Sequence, residues 1–366
     1  MDEDFRTDGM PRTQILVVVV LYKIQLAESQ TIQGLLQAFS CYPELHDSLS
    51  VLIWDNSPTP LKDLEVLSSF TYQHSQENLG VSGAYNRALK IAETMSCQWL
   101  LLLDQDTAIP ADFLPQMLKL GSRFLTKPEF AAVVPFLMDG DRPLSPLSVL
   151  FKRFRPLDRP CEGVYPGQVS AANSGTLMRV DALRQIGGFN EDFWLDFSDV
   201  VVFHLLHQHG KQVQIAGDLL LKHKNSAIDF NNLMSPERYS SYIAAEGAYW
   251  DTYGTAAQRA FHTLRILERA IRQKRRSKNL AHAKILLSYF FKRLLLGKQS
   301  RLMWWRFQSL RRDFPVVSEH SYPAVKNIGH SVPSAEGSSI RIPSSEGLSR
   351  YIALGVGDSS ANPPLR

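Results

Sequence analysis

The chain has 366 residues, of which 44% are hydrophobic and 21% charged, ordinary values for a folded globular protein. They exclude whole-chain disorder, a collagen-like repeat and a small disulfide scaffold. Three cysteines, Cys41, Cys97 and Cys161, lie far apart without a CxxC pair, which argues against a zinc ribbon or redox dithiol and suits a reducing cytoplasm.

The first twelve residues are acidic and lack an apolar core, so no signal peptide is read there. The longest apolar runs, Ile15 to Leu21 and Leu100 to Leu103, fall well short of the roughly 20 residues that span a bilayer. A soluble or peripheral chain is expected. Charge is uneven along it. The formal net charge is +4, yet Arg265 to Arg312 carries 15 Lys or Arg against one acid, Glu268, a local +14 that leaves the remainder at −10.

In chain order, Gln14–Leu21 reads as a strand buried on both faces, as in a parallel sheet. Ser29–Phe39 has helical spacing. Ser50–Trp54 is a second buried strand closed by Asp55-Asn56-Ser57-Pro58, and Thr71–His74 a short third. Gly83–Met95 reads as a helix after the turn at Asn78-Leu79-Gly80, and Trp99–Leu103 as a fourth strand stopping at Asp104. This alternation predicts a mostly parallel sheet with helices on both faces.

Ala131–Phe136 reads as another strand, and Asp139–Gly167 as a long loop over a site. Ser170–Arg179 reads as a strand, Asp181–Ile186 and Phe197–His209 as helices, and Gln212–Ala216 as a late strand. From about Ser235 the pattern is helical and aromatic, then basic. Val316–Arg366 holds 11 Ser, 5 Pro and 5 Gly and reads as disordered. The expected organisation is a tail over 1–13, an α/β domain over 14–234, a basic amphipathic helical extension over 235–315 and a low-complexity tail over 316–366.

The sharpest chemical feature is Asp104-Gln105-Asp106-Thr107, two carboxylates at i and i+2 directly after a buried strand. Ligands of open α/β sheets bind beyond the carboxyl ends of the strands, and alternate acids there can hold a divalent cation shared with phosphate. The bland reading is a polar turn. Asp55 occupies the same kind of place, either as a contact to a base or ribose or as an Asx-turn.

Asn78-Leu79-Gly80-Val81-Ser82-Gly83-Ala84-Tyr85-Asn86 offers free amides near a helix start, but is neither GxGxxG nor a Walker motif. Asp196 and Asp199 lie among aromatics before a helix. They read as candidates for a general base, the bland alternative being N-capping by Ser198 or Asp199. His223 after the late strand reads as a metal ligand or a structural histidine, and His204, His207 and His209 lack the carboxylate a helix metal site needs. In the basic segment, Leu286, Phe290, Trp304 and Trp305 alternate with Lys and Arg. That pattern suits adsorption to anionic lipid, packing on the body with a solvated basic face, or nucleic-acid binding. The last lacks any base-reading motif, so no nucleic-acid partner is expected.

Taken in order, Asp55-Asn56-Ser57, Asn78-Leu79-Gly80 with Gly83 and Asn86, Asp104-Gln105-Asp106-Thr107, Asn173-Ser174-Gly175, Gly187 to Phe193 and Asp196-Phe197-Ser198-Asp199 resemble the family 2 inverting glycosyltransferases of the GT-A fold, nearest the rhamnosyltransferase-type members. The likeness covers about Gln14 to Asn225. It implies a Rossmann-like, mostly parallel sheet flanked by helices, with a C-terminal helical extension. It implies a nucleotide-sugar pocket of Tyr22, Asp55, Asn78, Gly80, Gly83, Asn86, Asp104, Ser174 and Gly175. Asp106 with His223 would ligate Mg²⁺ or Mn²⁺. Asp199, or else Asp196, would deprotonate the acceptor.

The implied donor is a nucleoside-diphosphate sugar, with dTDP-rhamnose favoured. The implied acceptor is a polysaccharide or lipid-linked saccharide, met in the cytoplasm or on an anionic membrane surface at its inner face. Val201 and Leu205 stand where such relatives usually carry a glutamate and an arginine, and Arg87 where a glycine is usual. That departure keeps open a non-catalytic nucleotide-sugar-binding scaffold of the same fold. A nucleotidyltransferase lacks its glycine-rich, lysine-containing signature here.

Overall fold

The computed structural model describes residues 13–310 apart from 63, 68, 151–152, 159–160, 223–233 and 277–279. His223 and the Val316–Arg366 tail lie outside the described residues, as do the first twelve residues of the N-terminal tail.

The strands are β1 Ile15–Leu21, β2 Leu49–Asp55, β3 Thr71–His74, β4 Trp99–Asp104, β5 Phe130–Asp139, β6 Arg142–Ser145, β7 Leu147–Leu150, β8 Arg153–Pro156, β9 Gly163–Val164, β10 Val169–Ser170, β11 Thr176–Arg179 and β12 Gln212–Lys222. The helices are α1 Gln30–Cys41, α2 Gly80–Thr94, α3 Phe113–Arg123, α4 Val180–Gln185, α5 Ser198–Gln208, α6 Pro236–Tyr253, α7 Ala256–Arg276, α8 Ala281–Leu295 and α9 Lys298–Ser309.

The main sheet runs β3-β2-β1-β4-β11-β5-β12-β9, with β6 paired to β5. Strands β1 to β4 pair in parallel, as do β5 and β12, while β11 is antiparallel to both β4 and β5. The expected architecture, a mostly parallel sheet flanked by helices with a C-terminal helical region, is therefore observed. One reversed strand lies at its centre.

The β1 run explains why the sheet is two-sided. Leu16, Val18 and Val20 pack with Ala84, Ala88 and Leu89 of α2. Ile15, Val17, Val19 and Leu21 pack on the opposite face with Ile32, Leu35 and Phe39 of α1 and Phe113, Leu114 and Met117 of α3. Successive strand residues point to opposite faces, so an unbroken apolar run is what a sheet covered on both sides requires. A third apolar cluster joins Phe193, Phe197 and Val201 to Tyr239, Ile243, Trp250, Ile266, Leu286 and Trp305 of the C-terminal helices.

Three sequence readings are corrected. The long loop expected over Asp139–Gly167 contains β6, β7, β8 and β9, and β7 with β8 and β10 forms a second, three-stranded sheet. These strands are two to four residues long, too short for alternation to register in the sequence. The strand read over Ser170–Arg179 is two strands in different sheets, parted by a turn at Asn173–Gly175 where Gly175 has φ 81°. Helix α2 begins at Gly80 rather than Gly83.

Candidate active site at the carboxyl edge of the sheet

Parallel pairing levels the strand ends. Leu21 pairs with Asp55, and Val20 pairs with Asp104. A cavity of about 650 Å³ opens at this edge. Its wall includes Tyr22, Asn78, Gly80, Asp104, Asp106, Asp196 and Asp199, residues from four separate chain segments.

The turn after β4 is held from several sides. Thr31 Oγ1 lies 2.5 Å from the Asp104 carbonyl oxygen and 2.9 Å from that of Thr107, able to donate to either, and Ser29 Oγ donates to that of Gln105 (2.7 Å). The Asp104 N–H donates to Ser174 Oγ at 3.0 Å, and Ser174 Oγ lies 2.7 Å from Thr107 Oγ1. Gln105 turns its amide oxygen back to accept the Tyr22 N–H at 2.8 Å. Tyr85 donates its hydroxyl to Asp104 Oδ1 at 3.1 Å; burial, with Asp104 beside it, pushes the Tyr85 phenol well above its usual range. Ser174 is thus a support of the turn rather than part of the cavity wall. Asp104 and Asp106 are hard oxygen donors of the type that suits Mg²⁺ or Mn²⁺ with phosphate completing the shell. Among the described residues, no group of three His, Cys, Asp or Glu is placed to hold a metal.

The second wall comes from the segment before α5. Ser82 Oγ donates to the Phe193 carbonyl (2.7 Å) and lies 2.8 Å from Ser198 Oγ, tying the start of α2 to the acidic segment. Gly80 has φ 69°, and a Cβ there would lie 2.2 Å from the Trp194 carbonyl oxygen, so no other residue fits without displacing Trp194. Phe197 is left-handed at φ 64°. In a non-glycine residue this costs about 1–2 kcal/mol, and here it sits between the two candidate bases.

Asp196 accepts a bidentate pair from Arg238 of α6, with Nη2 to Oδ1 at 2.6 Å and Nη1 on Oδ2. Asp199 accepts the Val200 N–H at 2.8 Å. Burial pushes its carboxyl up to about 6; the Val200 N–H works against this, and the charges of Asp104 and Asp196 add to it. Helix α5 has no side-chain cap, so the N-capping reading of Ser198 and Asp199 does not hold.

Other expected residues lie behind the wall. Asp55 is fully buried, with Oδ1 accepting the Ser57 N–H at 2.8 Å and Oδ2 accepting the Tyr72 hydroxyl at 2.7 Å and the Leu61 N–H at 3.3 Å. The Asx-turn reading describes that geometry. Asn86 donates to the Phe189 carbonyl (2.9 Å) and accepts its N–H (2.8 Å), clamping α2 to the acidic segment. Gly83 packs inside the first turn of α2 against Leu79, and Gly175 packs against Leu221 and Pro135. The helix histidines point to separate neighbours. His207 Nε2 lies 2.9 Å from the Val169 backbone, His209 Nδ1 meets the Leu205 carbonyl, and His204 faces Tyr249.

Sequence reading missed Arg238 and Tyr242, which line the cavity from α6. No local motif marks Arg238, because its partner is 42 residues away. Asn56 and Asn173 also reach the wall; both sit inside quoted motifs without an assigned role. Val201 is buried and Leu205 packs in the third cluster. The positions that lack the expected charges therefore face apolar neighbours, while α6 brings a cation to the cavity.

No curated protein matches the chain. Solved structures match at low identity. S. aureus TarS 1-349 aligns at 16% identity over 77% of this chain and 71% of its own, with a TM-score of 0.41. The complex of that fragment with UDP gives 15%, 80%, 78% and 0.42. Its complex with UDP-GlcNAc gives 15%, 81%, 88% and 0.44. A family model matches part of the chain: residues 31–141, which carry Asp55, the Asn78–Asn86 segment and the Asp104–Asp106 turn, match Glycosyl transferase family 2.

Proposed function

We propose that the chain is an inverting glycosyltransferase that moves a sugar from a nucleoside diphosphate to a saccharide hydroxyl. The observation that carries this reading is the convergence of Asp104 and Asp106 with Asp199 on one cavity. Acids that reach the same edge from different elements serve two roles there: one set faces the diphosphate, and another faces the acceptor.

In this reading Asn78, Gly80 and Tyr22 border the nucleotide end, and Asp104 faces ribose or donor sugar. Asp106, with His223, would hold a Mg²⁺ or Mn²⁺ ion, which when bound offsets the negative charge of the departing diphosphate. Asp199 takes the proton of the acceptor hydroxyl as that oxygen bonds to the anomeric carbon. The bond from that carbon to the diphosphate oxygen breaks on the opposite face, so configuration inverts. A base at about 6 is largely ionised at neutral pH while still able to hold a proton. Arg238 fixes Asp196 and keeps one of the two neighbouring acids neutralised. The acceptor is a polysaccharide or lipid-linked saccharide, and dTDP-rhamnose is the donor carried forward from the motif likeness.

The test is calorimetry with a panel of nucleoside diphosphates and their sugars, dTDP-rhamnose and uridine diphosphate sugars included, with and without Mn²⁺. Metal-dependent binding of one base type, lost in Asp106→Ala, supports the reading; no binding by folded protein overturns it. The apolar Val201 and Leu205 favour a second reading, a nucleotide-sugar-binding scaffold. Donor binding without turnover across a broad acceptor panel would select it.

A further inference from the structure

The basic character of the C-terminal helices divides into two kinds of cation. Arginines mostly turn to acids. Arg269 pairs with Glu246, Arg293 and Arg301 share Asp251, Arg306 meets Asp192, and Arg272 meets Glu268. Lys284 and Lys292 of α8 have no acidic partner among the described residues. Both line a second cavity of about 280 Å³ between α6, α8 and α9, together with Ser240, Ser288 and Trp304. Lys292 Nζ stands 3.8 Å from the centre of the Trp304 ring. Two ammonium groups and two hydroxyls around a small cavity are a donor set for a phosphate, with no carboxylate on its wall.

The same face of α8 continues as apolar surface. Lys284, Ser288, Phe291 and Leu295 follow at spacings of four, three and four residues and are all exposed, which places them on one stripe. Phe291 is 54% exposed, Leu294 60% and Leu295 81%. Met303 and Phe307 of α9 and Leu310, the residue that follows it, form a second exposed stripe at 71%, 67% and 74%. Leucines and phenylalanines left in solvent beside unpaired lysines and a tryptophan match the water–lipid boundary. Apolar side chains enter the acyl region there, and cations meet anionic headgroups.

We propose that the cavity between α6, α8 and α9 receives the phosphate headgroup of an anionic phospholipid while Phe291, Leu294 and Leu295 insert beside it, so that the helical region docks on a negatively charged membrane surface. Charge selects this occupant. A second copy of this chain would bring the same surplus lysines against them. The proposal is independent of the transfer reaction, since docking is read without donor or acceptor.

The test is cosedimentation of the full chain with vesicles of phosphatidylcholine alone or with about 30% phosphatidylglycerol, at about 0.05 and 0.5 M salt. The expected result is at least about tenfold tighter binding to the anionic vesicles, weakened by salt. Lys284→Gln with Lys292→Gln removes the preference for phosphatidylglycerol. Phe291→Ser with Leu295→Ser, at exposed positions that leave the core intact, weakens binding to both kinds of vesicle. Circular dichroism and light scattering of each variant establish fold and mass. Equal binding to both vesicle types, or binding indifferent to the lysine pair, overturns the proposal. So does full displacement by inorganic phosphate with the serine variants binding as wild type, which identifies a soluble phosphate site. Self-association in the absence of lipid that the serine substitutions abolish also overturns it, in favour of a second copy.

Discussion

At the sheet edge, burial pushes Asp199 up to about 6, with Asp104 and Asp196 adding to the rise. Among the C-terminal helices, burial of Asp251 is outweighed by hydrogen bonds from Arg301 and Arg293, and its carboxyl is held below the usual range. Glu246 is likewise held down, with burial overcome by Arg269 and His262. The two regions bury acids of the same kind and tune them in opposite directions. A carboxylate neutralised by two guanidinium groups is fixed in place and cannot exchange a proton near neutral pH. A carboxylate set among other acids on a cavity wall is costly to the fold but chemically available. Three residues from Asp199, Asp196 is paired with Arg238, so both arrangements, a carboxylate with a guanidinium partner and one without such a partner among the described residues, meet on the same cavity wall.

That contrast can be broken first at Asp199. Asp199→Asn is expected to lower the transfer rate by about 10²–10⁴-fold while metal-dependent donor binding by calorimetry stays within about threefold. Equal loss of donor binding would remove Asp199 from the base role. At the other pole, Asp251→Asn strands the guanidinium of Arg293, whose side chain is 1% exposed. Leaving such a charge without its partner costs about 3–5 kcal/mol, read as a lower denaturation midpoint with the sheet-edge donor site still competent in the folded fraction.

Two pH experiments sharpen the comparison. If Asp199 must be ionised, kcat/KM falls about tenfold per pH unit below about 6, and a profile flat to pH 5 would contradict this. Stability responds through His262 as well as Asp199. Burial lowers His262 to about 4, whereas an unfolded histidine titrates near about 6.5. Between these values the unfolded chain binds the extra proton, so His262 contributes a loss of stability as pH falls, whereas Asp199, raised on folding to about 6, contributes a gain over nearly the same window. Thermal unfolding from pH 7 to 4 separates the two: His262→Gln should make the protein relatively more stable toward low pH than wild type, and Asp199→Asn relatively less stable. The smallest effect belongs to Arg272→Ala. Both side chains of the Arg272–Glu268 pair are 54% exposed, and such pairs contribute less than about 0.5 kcal/mol. Loss of more than 1 kcal/mol would mean that α7 depends on its surface charges as well as on its buried ones.

Much of the sheet region was legible because its determinants are local. Apolar runs such as Ile15–Leu21 can be buried on both faces only in a covered sheet. An acid that follows such a run, as Asp104 does, is driven to the strand's carboxyl end. Of the residues the motif likeness named, Tyr22, Asn78, Gly80, Asp104, Asp106, Asp196 and Asp199 reach the cavity wall, whereas Asp55, Gly83, Asn86, Ser174 and Gly175 do not. What resisted reading depends on partners distant in sequence. Asp55 and Asp104 both end parallel strands, yet Tyr72 and two backbone amides bury the first while the second reaches the cavity. Nothing within either motif distinguishes them.

No helix among the described residues is long and apolar enough to cross a membrane, as the short apolar runs already implied. The charge surplus of 265–312 was equally plain in the sequence, but its meaning was not. Counting lysines and arginines determines that a basic helical region exists. Only packing decides that Arg269, Arg293 and Arg301 turn inward to buried acids of α6, that Lys284 and Lys292 do not, and that Arg238 crosses to Asp196. The physical reason is range. Burial periodicity is written residue by residue along the chain, whereas the partner of a buried charge is chosen in three dimensions, where the cost of leaving it unpaired is set.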